Sequence, residues 1–251
     1  RVMLDKLPRL RKFGLNTTGL TPHRAIPMLT KIVELCEERG IIFSFRVSID
    51  GVGEMHNQVR KVKKGFEKAN QTIRAMQELQ KKHRFNFGVS TTIFHMNLDD
   101  AENILAWAKN EKLDIVFNMV RFTDAMLGNQ ELEVKWKPIG PEEERMRQFF
   151  LDRVRMDPLM DGQNYIYMHY ADMIANGYHR MAPCPFQTQG IMLNPDGGLF
   201  FCENSDVVGN VKDTDPEELY FAAASQKHRN WIRDEKCPTC LSPCQMNVAA
   251  I

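Results

Sequence analysis

The segment IIFSFRVSIDG, residues 41–51, has the composition of a buried strand that ends in a turn. Residues 41–49 are mostly apolar, are rich in β-branched and aromatic side chains, and lack the spacing of a helix. Such runs are typical of strands in parallel sheets, where both faces are covered. Asp50 and Gly51 then end the strand.

Helices and strands alternate on both sides of this segment. A strand is predicted at residues 13–18, and Thr21-Pro22 supplies an N-cap and a first-turn proline for a helix that reaches about Arg39. Further along, the sequence predicts four more elements, helix 65–83, strand 85–94, helix 97–110 and strand 115–120. Asn97 is the predicted N-cap of the second of these two helices. This alternation indicates parallel crossover units and an α/β fold.

After these elements, residues 124–140 are predicted to form a loop, and helices are predicted at 141–156 and 165–176. The composition of the chain then changes. Prolines and glycines then punctuate two short strands, 189–193 and 199–202, before a last helix that begins at Asp215-Pro216. We place a domain boundary near residue 180, which gives domains 1–180 and 181–251.

The charge and hydropathy of the chain argue against a nucleic-acid-binding protein and against a membrane protein. The 251 residues include 33 Lys and Arg against 32 Asp and Glu, so the net charge of +1 gives no electrostatic reason to expect nucleic acid or an anionic membrane as partner. No apolar run approaches the roughly 20 residues of a membrane helix, and no signal-peptide pattern is present. We expect a soluble, cytoplasmic protein.

Five of the six cysteines lie in the last third of the chain, at Cys184, Cys202, Cys237, Cys240 and Cys244. Pro238 and Pro243 stiffen the CPTCLSPC segment into turns. Clustered thiolates are soft ligands that suit zinc or an iron–sulfur cluster. The Cys-x2-Cys spacing alone fits a structural zinc site equally well, whereas Cys36 lies among apolar residues of a helix and is predicted to be buried.

Several short motifs, taken in order, resemble the barrel of a radical S-adenosylmethionine enzyme. The strand at 43–49 leads into Asp50-Gly51, Glu54-Met55-His56, Arg60 and Gly65-Phe66-Glu67-Lys68. Upstream, Asn16-Thr17-Thr18-Gly19 resembles the Thr-Asn-Gly element of that family, with Thr18 where Asn is usual. The resemblance implies an α/β fold with a partial (β/α)6-type TIM-like barrel.

The cysteine region resembles the auxiliary-cluster domain called SPASM, or its shorter twitch form. The resemblance is carried by Cys184, Gly197-x4-Cys202, Gly209-Asn210-Val211 and Cys237-x2-Cys240. It implies a small β-hairpin/helix domain in which Cys184, Cys202, Cys237 and Cys240 bind an auxiliary [4Fe–4S] cluster. Five cysteines suffice for one such cluster and not for two, which favours the twitch form, and Cys244 is either spare or a substitute fourth ligand.

The three-cysteine signature of the family, Cys-x3-Cys-x2-Cys, is absent from the sequence. In the family it precedes the element at Asn16, so we expect a second [4Fe–4S] cluster to be bound by residues upstream of Arg1. The resemblance implies that this cluster and S-adenosylmethionine generate a 5′-deoxyadenosyl radical, which abstracts hydrogen from the substrate. A reductant such as flavodoxin or ferredoxin is the expected electron donor.

The substrate class is less narrowly defined by the sequence. One auxiliary cluster and no visible peptide-recognition domain favour a small molecule such as a carbohydrate. The alternative within the family is a maturase of a ribosomally made peptide. The alternative from another class is a non-catalytic scaffold whose cysteines bind zinc.

Polar residues at the predicted strand ends are the remaining site candidates. Parallel barrels place functional side chains at the carboxyl ends of strands. Asp50 and Arg121 are the candidate catalytic residues, although Asp50 with Gly51 also fits a plain turn and Arg121 a solvated side chain. The candidates for cofactor binding, which also fit satisfied core residues, are Asn16, Thr17, Ser48, Asp50, Thr92 and Asn118.

Overall fold

The computed structural model describes residues 5–123, 128–156, 162–180, 184–188 and 190–240. The chain packs as two compact units, Arg1–Asn118 and Met119–Ile251. The boundary expected near residue 180 falls inside the second unit and stays a prediction of domain organisation. Within the described ranges, no helix has both the length and the apolar composition needed to cross a membrane.

The first unit is built of alternating strands and helices, as the sequence predicts. Its four strands form a parallel sheet in the order β1-β2-β3-β4, which confirms the α/β class. The elements are β1 (Lys12–Thr17), α1 (Pro22–Glu38), β2 (Ile42–Ser48), α2 (Glu54–Arg60), α3 (Gly65–Gln80), β3 (Asn86–Ile93), α4 (Ala101–Asn110) and β4 (Asp114–Met119).

One face of this sheet is apolar and packs against α1 and α3. Alternate residues of β2 point to this face, where Phe43, Phe45 and Val47 are at most 2% exposed. The ring centroids of Phe45 and Phe87, which are paired across β2 and β3, lie 4.8 Å apart. Cys36 on α1 is 1% exposed, which confirms that it is a core residue.

The opposite face of the sheet is polar. Arg46 lies along this face, where its guanidinium is 2.6 Å from Asp114 on β4 and 3.1 Å from the carbonyl oxygen of Val89 on β3. It crosses β3 at Gly88, where a Cβ atom would stand 2.8 Å from the Arg46 Nη1 atom and 2.4 Å from the Asp114 carbonyl oxygen. A cavity of about 620 Å³ lies at these residues. The sequence predicted a strand buried on both faces, and β2 instead has one buried face and one polar face.

The second unit combines helices with a small antiparallel sheet. That sheet has the order β5-β6-β7, of which the sequence predicted the first two strands as a hairpin. Gln189, the first residue of that predicted hairpin, lies outside the described residues. The elements are α5 (Glu133–Trp136), α6 (Pro141–Met156), α7 (Gly162–Ala175), β5 (Met192–Leu193), β6 (Gly198–Phe200), β7 (Gly209–Asn210), α8 (Pro216–Phe221) and α9 (Ala223–Trp231).

Aromatic rings and one buried arginine hold the second unit together. Helices α6 and α7 pack through Phe150, whose ring centroid is 4.9 Å from that of Tyr170. Arg229 on α9 donates hydrogen bonds to the carbonyl oxygens of Thr188 and Gly190, at 2.6 and 2.9 Å. Its guanidinium also lies over the ring of Phe201 at 4.0 Å. Arg229 therefore ties α9 to both the segment before β5 and the segment after β6.

Candidate functional site

Four cysteines from three segments of the second unit line one cavity. Cys184 precedes a 3-10 turn, Cys202 follows β6, and Cys237 and Cys240 flank the turn Cys237–Thr239. These are the four residues that the resemblance implies as cluster ligands. None of the five described cysteines is in a disulfide. Cys244, the fifth candidate ligand, lies outside the described residues.

Tight turns bring these thiols together. The backbone N–H of Cys240 donates to the carbonyl oxygen of Cys237 at 3.2 Å, which closes the turn around Pro238. The carbonyl oxygen of Pro238 accepts a hydrogen bond of 2.7 Å from the backbone N–H of Arg180, so this turn is anchored to the segment after α7. Both thiols of this turn line the same cavity.

Burial and neighbouring thiols raise the pKa values of two of the cavity cysteines, Cys202 and Cys237. Burial, together with the thiols of Cys240, Cys237 and Cys184, raises the pKa of Cys202 to about 12. Burial also raises the pKa of Cys237, against the lowering effect of a hydrogen bond from the Gln187 side chain. Thiolates in this cavity consequently need a positive partner, and a metal centre that binds there has to displace the thiol protons.

The donor set fits an iron–sulfur cluster. Apolar side chains, Phe186, Phe201 and Ile232, line the cavity with the four thiols and three arginines. A buried cavity with soft sulfur ligands and nearby cations suits an anionic cluster. The space among these side chains is about 20 Å³, so the lining side chains would have to move before a cluster could bind. Among the described residues, no group of three or more His, Cys, Asp or Glu is placed to hold a metal ion in this conformation.

A second cavity of about 700 Å³ shares a wall with the thiol cavity. Glu203, Asn204 and Cys240 line both cavities. Arg121, a candidate catalytic residue, lines the larger one, and its Nη1 atom is 2.7 and 2.5 Å from the two carboxylate oxygens of Glu203. Glu203 is only 7% exposed, so this ion pair is a fixed part of the wall of the larger cavity. The structure therefore brings Arg121 to the cavity beside the cysteines.

The rest of the larger cavity is polar and carries charges of both signs. The ammonium of Lys137 lies 4.1 Å from the ring centroid of Tyr178 and 3.1 Å from Glu133. Lys236 lies 5.4 Å from the ring centroid of Trp231, which is 43% exposed. Aromatic faces beside charged groups suit a polar ligand. The predicted loop at 124–140 contributes α5 to this wall, and residues 124–127 lie outside the described part.

Asp50, the other candidate catalytic residue, belongs to a buried network at the carboxyl end of β2. Its Oδ2 atom is 2.6 Å from Arg60, and its Oδ1 atom accepts a 3.1 Å hydrogen bond from the backbone N–H of Thr92. Burial raises the pKa of this carboxyl, while Arg60 and the Thr92 amide lower it. Both carboxylate oxygens are engaged by the protein. This arrangement favours the structural interpretation of Asp50 over a direct role on a ligand.

Asn97 belongs to the same network and does not cap a helix through its side chain. Its side-chain amide donates to the carbonyl oxygens of Asp50 and Thr92, at 3.0 and 2.9 Å, and accepts from the backbone N–H of Phe94 at 3.0 Å. Asn97 stands at the N-cap position of the 3-10 turn Leu98–Asp100, which leads into α4, but its side chain forms no cap bond. The amide instead bonds three other backbone groups, one of them on the distant Asp50.

The remaining cofactor candidates divide between the two faces of the sheet. Asn16 is paired with Arg46 across β1 and β2, and Ser48 lies two residues beyond Arg46, so both share its polar face. Asn118 shares the face of Asp114 by the same alternation. Thr17 is paired with the buried Val47, on the apolar face, and its hydroxyl accepts from the Gly19 backbone N–H at 3.2 Å.

Four site residues were missed by the sequence. Arg46 was visible as a cation within an apolar run, which is a usable signal. Glu203, Asn204 and Asp114 carry no such signal, because polar residues after a strand or in a turn are ordinary.

Comparison with known proteins does not assign a function to these sites. No protein-family model matches the chain, and no curated protein matches it at a significant level. The function is therefore argued from the residues and their geometry.

Proposed function

We propose that this chain is part of a radical S-adenosylmethionine enzyme, in which Cys184, Cys202, Cys237 and Cys240 bind one auxiliary [4Fe–4S] cluster. The observation that carries the proposal is the convergence of these four thiols on one cavity. The order of the barrel and twitch motifs in the sequence is the second support. Cys240 lines the cavity, and we take it as the fourth ligand.

The parallel sheet supports the barrel part of the proposal. In a (β/α) barrel an outer ring of helices covers one face of the strands, and functional side chains lie at the carboxyl ends of the strands. The sheet of the first unit has an apolar face under helices and an opposite polar face. We assign Asn16, Ser48 and Asn118, on the polar face, to the interior of that barrel, where S-adenosylmethionine would bind.

The bound cofactors, rather than protein side chains, would carry out the radical chemistry. When bound, the cluster upstream of Arg1 and S-adenosylmethionine would supply a 5′-deoxyadenosyl radical for hydrogen abstraction, and the auxiliary cluster would assist oxidation of the substrate. The part of the protein is to bind and orient the substrate and to exclude water from it. Flavodoxin or ferredoxin would serve as the reductant.

The larger cavity is the proposed substrate site in the second unit. Its volume of about 700 Å³ lies within the range of about 300–1,000 Å³ that is usual for small-molecule sites. Arg121, held by Glu203, presents a fixed cation, and Trp231 offers an aromatic face to a polar ligand such as a sugar. These features favour a small polar substrate over a ribosomally made peptide, which is the alternative.

The proposal is tested by metal analysis of the full-length protein purified without oxygen. We expect a brown protein that contains iron and sulfide and cleaves S-adenosylmethionine to 5′-deoxyadenosine. Replacing any one of the four cavity cysteines by Ala should remove about one cluster's iron. Cys36→Ala is the matched control, because Cys36 is buried in the other unit, and it should leave the iron content unchanged.

Three outcomes would contradict parts of the proposal. A colourless protein with about one zinc would support the scaffold alternative. Loss of iron in Cys244→Ala, with none in Cys240→Ala, would show that the ligand choice is wrong. A full-length protein without a Cys-x3-Cys-x2-Cys signature upstream of Arg1 would remove the radical chemistry.

A further inference from the structure

Asn204 contacts two of the four cavity thiols. Its side-chain Nδ2 atom lies 3.3 Å from the Sγ atom of Cys240 and is oriented as a hydrogen-bond donor to it. Its backbone N–H forms a hydrogen bond with the thiol of Cys202. One residue thus bridges the segment after β6 and the turn that ends the described chain.

Position distinguishes Asn204 from the other amide in the thiol cavity. Gln187 forms a side-chain hydrogen bond with Cys237, and its Oε1 atom accepts from the backbone N–H of Cys184 at 3.5 Å. Gln187 lines only the thiol cavity, whereas Asn204 also lines the 700 Å³ cavity. Asn204 is therefore the amide donor that stands in the shared wall, between the proposed substrate and the proposed cluster.

We propose that Asn204 is a positioning residue of the metal centre, which orients Cys240 and raises the reduction potential of the auxiliary cluster through its amide N–H···S bond. This inference rests on the proposed function. Reduction adds one negative charge to the cluster and its thiolates, and a hydrogen-bond donor stabilises the more negative state more strongly. Hydrogen bonds to the sulfur ligands are one of the means by which proteins set this potential.

The test is a potentiometric titration of the auxiliary cluster, followed by electron paramagnetic resonance, in the full-length protein reconstituted without oxygen. Asn204→Leu removes the donor and Asn204→Asp removes it while keeping the shape. Both should lower the midpoint potential, and Asp should lower it further because it adds a negative charge. Asn204→Gln, which keeps an amide donor, should recover part of the shift. Asn110→Leu is the control, since Asn110 is exposed at the end of α4 in the first unit and should leave the potential unchanged.

The upstream cluster serves as an internal reference, because its potential should be the same in all these variants. Iron and sulfide content shows whether each variant retains the auxiliary cluster. Unchanged potentials in Asn204→Leu and Asn204→Asp, with the cluster retained, would overturn this inference and leave the proposed function standing. A wild-type protein with no auxiliary cluster would overturn both. Equal shifts in Asn110→Leu would also overturn it, because the effect would not depend on the N–H···S bond.

Discussion

The imidazole of His56 is fully buried in the first unit. Its Nδ1 atom accepts a 3.1 Å hydrogen bond from the backbone N–H of Asp50, so the proton of the neutral ring is on Nε2. Among the described residues, Nε2 has no hydrogen-bond partner. Burial, helped by the positive charge of Arg60, lowers the pKa of His56 from 6.5 to about 4. Protonation would bury a charge beside a cation and remove the acceptor for the Asp50 N–H.

The lowered pKa of His56 predicts that the folded protein loses stability as the pH falls. Between pH 6.5 and about 4 the unfolded chain binds a proton at His56 and the folded chain does not, so the free energy of unfolding falls as pH falls. The loss reaches about 3 kcal/mol near pH 4. His56→Asn keeps an acceptor near Nδ1 and cannot titrate. Urea unfolding at several pH values should therefore show a shallower pH dependence for this variant.

The control for this measurement is His23→Asn, at an exposed position on α1. It should follow the wild-type curve. If His56→Asn and wild type lost stability in parallel between pH 6.5 and 4, His56 would not be the group responsible.

Strand β3 shows how one residue without a side chain shapes a whole sheet face. Arg46 on β2 reaches Asp114 on β4 only because nothing projects from β3 at Gly88. The contacts that a Cβ atom would make there include a backbone oxygen, which cannot move independently of β4. The polar face of the sheet is thus organised by the pair of Gly88 and Arg46.

Gly88→Ala should therefore destabilise the first unit, by about 1–3 kcal/mol, as overpacking of a close contact usually does. Gly14→Ala is a matched control on β1 of the same sheet. A Cβ atom at Gly14 would have its nearest neighbour, the Ser44 hydroxyl, at 3.4 Å, which is ordinary contact. Denaturant unfolding should show a loss for Gly88→Ala and little or none for Gly14→Ala. Equal effects at both positions would contradict the role of the Arg46 crossing.

Helix ends illustrate which local signals were reliable. Asp215 was predicted to begin the last helix, and its carboxylate accepts from the backbone N–H groups of Glu217 and Glu218 at 2.9 and 3.2 Å. The helix that it caps, α8, is not the last, because α9 follows it. Thr21 makes no side-chain cap bond, yet α1 begins at Pro22 as predicted. The proline alone suffices there, because its fixed φ and missing N–H suit the first helical turn.

At the scale of the second unit, the proposed cluster would act as a cross-link. Its four ligands come from three segments that are otherwise joined by the small sheet and by Arg229. A group that binds the folded state and not the unfolded chain stabilises it, by about 3–4 kcal/mol at 100 to 1,000 times its dissociation constant.

Anaerobic thermal unfolding should therefore show a higher midpoint for the cluster-loaded protein than for the chelator-treated protein. Cys202→Ala should abolish that difference, because the variant lacks one ligand. Cys36→Ala should lower both midpoints through its lost core contacts and keep the difference between them. A loaded protein no more stable than the stripped one would argue against ligands drawn from all three segments.

Much of the first unit could be predicted because its signals are local. Helices α1 and α3 and strands β2 and β3 each carry their own spacing or composition, and the structure has all four within a few residues of the predicted bounds. Short elements were less predictable. β7 and α2 contain two and seven residues, too few to show a period. Asn97 stands at the predicted N-cap position, but its side chain bonds Asp50 and other backbone groups, which the local sequence does not indicate.

The sequence by itself determined the α/β alternation, the core position of Cys36 and the cysteines worth considering as ligands, since these depend on the residue and its near neighbours. Only the tertiary structure decided which distant residues these side chains contact. Arg46 and Asp114 are 68 residues apart, and Arg121 and Glu203 are 82 apart. No local pattern encodes such pairs, because they form only when packed elements bring distant side chains together. The same packing brings four thiols to one cavity.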